Sequence, residues 1–172
     1  MGDSEIAMLE NLETDYKDMI IELLAENVQF LLVGGYAVGV HGYQRTTNDI
    51  DFFVWPNPEN AARVIKALER FGAPMFNVSE EDFAKEGTVF QIGVAPVRID
   101  VLTSIAGVRF EEAYRNAKIA AVGGIEFPVI PLQDLIRNKR AAGRGKDLID
   151  AEHLEVILKK NQFPTLSQNM GM

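Results

Sequence analysis

Apolar and polar positions recur along the chain with two periods, and each switch between them marks an element. From residue 5 to 27, Leu9, Leu12, Tyr16, Met19, Ile20, Leu23 and Leu24 return at steps of three and four, while Glu10, Glu13, Asp15, Lys17 and Asp18 fill the other side. That spacing predicts a helix with one packing face, ending at Asn27. Phe30 to Val33 is an apolar run expected as a first strand, and Gly34-Gly35 open a short buried helix in which Tyr36, Ala37 and Val40 pack. His41 stands at its exit, as a structural hydrogen-bonding residue or a substrate contact. A polar loop from Gly42 to Thr47 leads into a second strand, Asn48 to Val54.

The same reading carries through the rest of the chain. Pro56 and Pro58 bracket a turn, Asn57 or Asn60 helps to start a helix along Ala61, Val64, Ile65, Leu68 and Phe71, and Gly72 to Pro74 stop it. Residues 79 to 86 read as a short helix or an acidic loop. Val89 to Val94 and Val97 to Leu102 are two strand-like runs joined at Ala95-Pro96, so antiparallel neighbours are expected. Ala117 to Val122 and Ile125 to Ile130 form a second hairpin around Gly123-Gly124. Pro131 permits a helix carrying Leu132, Leu135 and Ile136, and a final helix packs through Leu148, Ala151, Leu154 and Leu158, with His153 structural. These elements predict one α+β domain over residues 1–172, a small mixed sheet packed against helices, with a frayed tail from 162 to 172.

Two carboxylates in the second strand change the picture from fold to chemistry. Strand alternation puts Asp49 and Asp51 on one face, with Asn48 and Ile50 opposite. Adjacent carboxylates repel each other and resist desolvation, a conflict that a hard divalent cation removes; Mg²⁺ commonly uses carboxylate oxygens together with substrate phosphates. Gly34-Gly35, leaving a strand without Cβ atoms, can turn sharply and bring backbone N–H groups near an anion. In the later strand Arg98 and Asp100 share a face within an otherwise apolar run, where a carboxylate is not incidental and pairing with Arg98 is one account of it. Arg45 can neutralise a phosphate or brace the carboxylates.

Composition narrows the options further. The chain has 172 residues and is 47% hydrophobic, enough for a single sizeable core. It contains no cysteine, so thiolate metal sites, disulfides and cysteine nucleophiles are excluded. A net charge of −8 disfavours tracking along a long nucleic-acid duplex but leaves room for a local basic pocket. No apolar run suggests a membrane span or signal peptide, so a soluble cytoplasmic protein is expected. Against the acidic background, Lys139, Arg140, Arg144 and Lys146 cluster beside Asp147 and Asp150, which can pair with Lys146 or a neighbouring arginine.

Gly34-Gly35 followed by Asp49-x-Asp51 in an apolar strand resembles the signature of the nucleotidyltransferase superfamily related to DNA polymerase beta. The stretch GGYAVGVHGYQRTTNDID is similar to its small single-domain branch of minimal, antibiotic and abortive-infection-toxin nucleotidyltransferases. DLIRNKRAAGRGKDLIDAEHL resembles the C-terminal segment of the same group, and together the likeness spans roughly residues 30–155. The resemblance implies metal-dependent transfer of a nucleotidyl group (NMP) from an NTP to a hydroxyl, with two Mg²⁺ ions, or Mn²⁺. It implies that Asp49 and Asp51 bridge the metals, that Asp100 holds the catalytic metal near the attacking hydroxyl and can take its proton, and that Lys139 lies near the triphosphate. Arg45 becomes a basic residue close to the site, and Arg144 to Asp150 the junction orienting the last two helices. With no separate acceptor domain visible, a homodimer or an antitoxin-like partner is a candidate to complete the site. The acceptor is left open between small molecule, protein and RNA terminus.

The alternative from a different class is a nucleotide-binding or toxin-like interaction module with little turnover. A phosphate-loop kinase is disfavoured because the chain lacks Gly-x-x-x-x-Gly-Lys-Ser/Thr.

Overall fold

The computed structural model describes residues 12–163. Residues 5–11 of the expected first helix and 164–172 of the expected tail lie outside the described residues. The elements run α1 (Thr14–Ala25), β1 (Phe30–Val33), α2 (Gly34–Val40), β2 (Asp49–Val54), α3 (Pro58–Phe71), α4 (Glu80–Phe83), β3 (Val89–Val94), β4 (Val97–Leu102), α5 (Phe110–Arg115), β5 (Lys118–Val122), β6 (Ile125–Val129), α6 (Leu132–Ala142) and α7 (Gly145–Gln162).

Six strands form one sheet in the order β3-β4-β2-β1-β6-β5. β1 pairs antiparallel with β2 and parallel with β6, β2 pairs parallel with β4, and the two hairpins β3–β4 and β5–β6 close the edges. The sheet is therefore mixed, and the fold is the small α+β class expected from the pattern. The parallel β2–β4 pair needs a covered crossover, which α3 and α4 provide. Asn57 starts α3 by accepting from the N–H groups of Glu59 and Asn60 at 3.0 and 3.3 Å, and Gly72 ends it with φ +92. Of the two asparagines considered for that start, Asn57 is the cap. Asn60 is fully buried and satisfies Gln29 and Trp55. The acidic segment after residue 79 resolves into α4, whose Phe83 is buried.

β1 is buried at all four positions, and Phe30 meets Phe52 of β2 edge to face at 5.7 Å. Phe53 leaves the opposite face towards Phe110 of α5, at 5.2 Å. Each such side chain contributes about 1.5–3 kcal/mol on burial, so the central strands are held rigidly from both faces. The sheet's rigidity fixes what projects from its end.

One sequence expectation is corrected in α7. Leu148, assigned to the packing face, is 40% exposed, whereas Asp147 and Asp150 are each 1% exposed. Two aspartates share the buried face with apolar residues, because Lys139 of α6, Arg45 of the α2–β2 loop and Arg144 pair with these carboxylates and make their inward placement tolerable. Ala151 and Leu154 remain buried as expected.

Candidate active site

β2 and β4 set the site by register. Asp49 lies opposite Arg98 and Asp51 opposite Asp100, so all four side chains leave one face of the sheet together. One oxygen from each of Asp49, Asp51 and Asp100 lies within 4.8 Å of the others. Gly34 makes this convergence possible. A Cβ there would collide with the Asp51 carboxylate, and its φ of +71 lies in the left-handed region that suits glycine. At Gly35 a Cβ would come within 2.7 Å of Thr47 Oγ1. The glycine pair thus makes room for the site's side chains as well as turning the chain.

Desolvation, followed by the charges of Asp49 and Asp100, pushes the Asp51 carboxyl up to about 7. Arg98 partly offsets the clustered charge. Its Nη2 donates to Asp49 Oδ2 at 2.8 Å and to Asp100 Oδ2 at 3.2 Å, while its Nε donates to Asp100 Oδ1 at 3.1 Å. The two readings of Asp100 are therefore both realised: it pairs with Arg98 and it joins the acidic cluster.

The opposite wall is cationic. Lys139 is buried on α6, with Nζ 3.4 Å from Asp147 Oδ1 and 3.1 Å from Asp150 Oδ2. Arg45 forks onto Asp150, Nε to Oδ1 and Nη2 to Oδ2, both at 2.8 Å, so it braces α7 rather than the metal-facing carboxylates. Arg144 donates to Asp147 Oδ2 at 2.7 Å. Burial would raise both aspartates, yet Arg144 and Lys139 hold Asp147, and Arg45 and Lys139 hold Asp150, below the usual carboxylate range. Their partners are thus Arg45, Lys139 and Arg144, not Lys146, which instead lines the cleft.

Between the two walls lies a cleft of about 450 Å³ that also touches Gly34, Gly35 and Arg144. His41 is not among the residues that line this cleft; its Nε2 is 2.7 Å from the Ile130 carbonyl. His153 stacks on Tyr43 with ring centroids 3.9 Å apart.

Two contributors escaped sequence reasoning. Thr47 Oγ1 lies 3.2 Å from Asp49 Oδ1 and from the Asp49 carbonyl, and steadies that side chain. Gln91, the β3 partner of Asp100, lines the cleft from the edge strand. Neither sits in a spacing pattern, although Thr46-Thr47 directly before the acidic strand was the one available signal for the first.

The donor set is entirely carboxylate oxygen, and burial, followed by the neighbouring carboxylates, pushes one member, Asp51, up to about 7. Both properties suit a hard divalent cation such as Mg²⁺ or Mn²⁺. Fold and site together define a small mixed-sheet α+β domain that carries a candidate acidic metal-binding cluster at one sheet face. Two solved structures share its architecture with a TM-score of 0.54. The lincomycin-bound lincosamide antibiotic adenylyltransferase LnuA is 16% identical, over 85% of this chain and 98% of that one. The antibiotic-resistance factor ANT(2'')-Ia is 15% identical, over 91% and 95%. The chain belongs to the family described as "Nucleotidyl transferase of unknown function (DUF2204)", whose model matches residues 12–168. No curated protein matches the chain in sequence. Among the described residues, no helix is long and apolar enough to cross a membrane.

Proposed function

We propose that this protein transfers an NMP group from an NTP to a hydroxyl acceptor. The observation that carries the reading is the convergence of Asp49, Asp51 and Asp100 on one sheet face, across a cleft from the buried ammonium of Lys139. Asp49, Asp51 and Asp100 would hold two Mg²⁺ ions, or Mn²⁺. When bound, those cations supply Lewis-acid activation of the hydroxyl and neutralise charge on the α-phosphate and the departing pyrophosphate.

The chain's own groups supply the remainder. Lys139 meets the β- or γ-phosphate, where its positive charge offsets the repulsion from an acidic body. Backbone N–H groups beside Gly34-Gly35 approach the same phosphates. The acceptor oxygen forms a bond to the α-phosphorus, the bond from that phosphorus to the bridging oxygen breaks, and pyrophosphate leaves with the electron pair. Asp100 takes the hydroxyl proton. Thr47 keeps Asp49 in orientation throughout.

Among acceptors, the chemistry requires only a hydroxyl, on a small molecule, a protein or an RNA terminus. A homodimer or an antitoxin-like partner would complete the acceptor side. The test is a mass-resolved screen with the four NTPs, Mg²⁺ or Mn²⁺, and cell extract divided into RNA, protein and small-molecule pools. A gain of one NMP in one pool supports the reading. Nucleotide binding without any mass gain favours the second reading, a nucleotide-binding or toxin-like module, for which the closure of Arg98 on Asp49 and Asp100 is the favouring contact.

A further inference from the structure

Asp150 is the point at which three separate segments meet. It projects from α7 with 1% of its side chain exposed, and its two oxygens take the Arg45 fork from the α2–β2 loop. Oδ2 also receives Lys139 Nζ of α6 at 3.1 Å. Two residues beyond Arg45, Thr47 reaches Asp49 Oδ1. One turn along α7 from Asp150, His153 stacks on Tyr43 and docks the same loop a second time. A single buried carboxylate therefore ties the loop that steadies the acidic cluster to the lysine on the opposite wall.

Stability alone is a poor reason for this arrangement. A buried ion-pair network is often no more stable than well-packed apolar residues of similar volume. Here Leu148, next to Asp147, is turned out to 40% exposure while two aspartates occupy inward positions. Lys139, Arg45 and Arg144 face Asp147 and Asp150, so the cluster keeps one net positive charge. An ammonium offers three donors, and among the described residues two carboxylates hold that of Lys139. Such a holder fixes where the ammonium sits without cancelling the charge of the wall.

We propose that Asp150 is a positioning residue for phosphate recognition: it sets the place of the Lys139 ammonium relative to the acidic cluster by clamping Lys139 and the Arg45 loop at once. The role rests on the nucleotidyl-transfer reading, in which Lys139 meets the distal phosphates. It extends that reading from a residue that binds to a residue that makes binding directional.

The probes are Mg²⁺–tripolyphosphate, inorganic phosphate and Mn²⁺, none of which depends on the nucleobase, each titrated calorimetrically into the full chain. Wild type is expected to bind tripolyphosphate more tightly than phosphate. Asp150→Asn, of nearly equal volume, is expected to lose about tenfold in tripolyphosphate affinity, a change equal to about 1.4 kcal/mol. Phosphate and Mn²⁺ affinities should stay within about twofold, since Arg98, which the clamp does not touch, still holds Asp49 and Asp100. If Asp150→Asn does not fold, Arg45→Met takes its place, because it removes one arm of the clamp at a partly exposed site. Its expected loss is smaller, about threefold, in the same direction. A folded variant with a lower Tm and unchanged tripolyphosphate affinity overturns the positioning role and leaves the nucleotidyl-transfer reading standing. A wild type that binds tripolyphosphate no better than phosphate overturns both, because Lys139 then has no polyphosphate to receive.

Discussion

Asp51 of β2 and Asp100 of β4 are register partners across a parallel ladder, and their carboxylates leave the sheet side by side. Neighbours in a parallel pair face the same way by construction, so this proximity is built into the sheet and does not depend on a loop. A permanent pair of like charges is unfavourable unless something is bound between them or one is protonated.

Replacing Asp51 by Asn removes that conflict. Asp51→Asn should therefore raise metal-free stability at pH 8, by about 1–3 kcal/mol, while Mn²⁺ binding is lost. Denaturant melts and Mn²⁺ calorimetry on the same preparation check both halves. A variant that is less stable and still binds Mn²⁺ contradicts the assignment.

The raised carboxyl also gives a pH dependence of definite sign. With Asp51 pushed up to about 7, the folded protein keeps a proton that the unfolded chain releases near the ordinary carboxylate range. Between those values the native state binds more protons than the unfolded state, so metal-free stability falls as pH rises towards about 7 and then levels. Mg²⁺ must displace that proton, so the Mg²⁺-induced increase in Tm should grow from pH 6 to pH 8. Thermal melts with and without Mg²⁺ measure it, and a stabilisation independent of pH contradicts it.

Arg98 holds oxygens of Asp49 and Asp100. Without its guanidinium the cluster loses a cation that competes for those same oxygens. Arg98→Met is expected to bind Mn²⁺ about threefold to tenfold more tightly and to be less stable without metal, by about 1 kcal/mol. Calorimetry and melts separate the two effects. Weaker Mn²⁺ binding would show instead that Arg98 orients the ligands.

Gly34 has two independent reasons to be glycine: φ of +71 and the Asp51 carboxylate where a Cβ would sit. Gly34→Ala should lose about 1–3 kcal/mol of stability and weaken Mn²⁺ binding, because the new methyl pushes Asp51 aside. Gly145→Ala is the control, with ordinary φ and nothing within 4 Å of the added Cβ. Equal behaviour of the two variants would argue against the steric account.

Much of this arrangement was legible in the sequence because it is local. The β1–α2–β2 stretch, both hairpins and the shared face of Asp49 and Asp51 follow from period-two alternation and turn residues, which act within a few positions. Resemblance added the meeting of Asp100 with that pair, a contact between strands far apart in sequence. What could not be read was long-range charge pairing. Arg45 lies 105 residues from Asp150, so its choice of that carboxylate over a phosphate or the metal-facing pair has no local signal. The turn of Leu148 outward has the same origin, since periodicity assigns apolar residues inward and is blind to a cation waiting on another helix.

The central claim is tested most directly by following label from two versions of the same NTP, one marked at the α-phosphate and one at the γ-phosphate, into the acceptor pool that gains mass. Nucleotidyl transfer predicts incorporation of α-label only, dependent on Mg²⁺ or Mn²⁺ and abolished in Asp49→Asn, Asp51→Asn and Asp100→Asn variants that remain folded. Incorporation of γ-label, or α-label transfer that survives in all three variants, would contradict it.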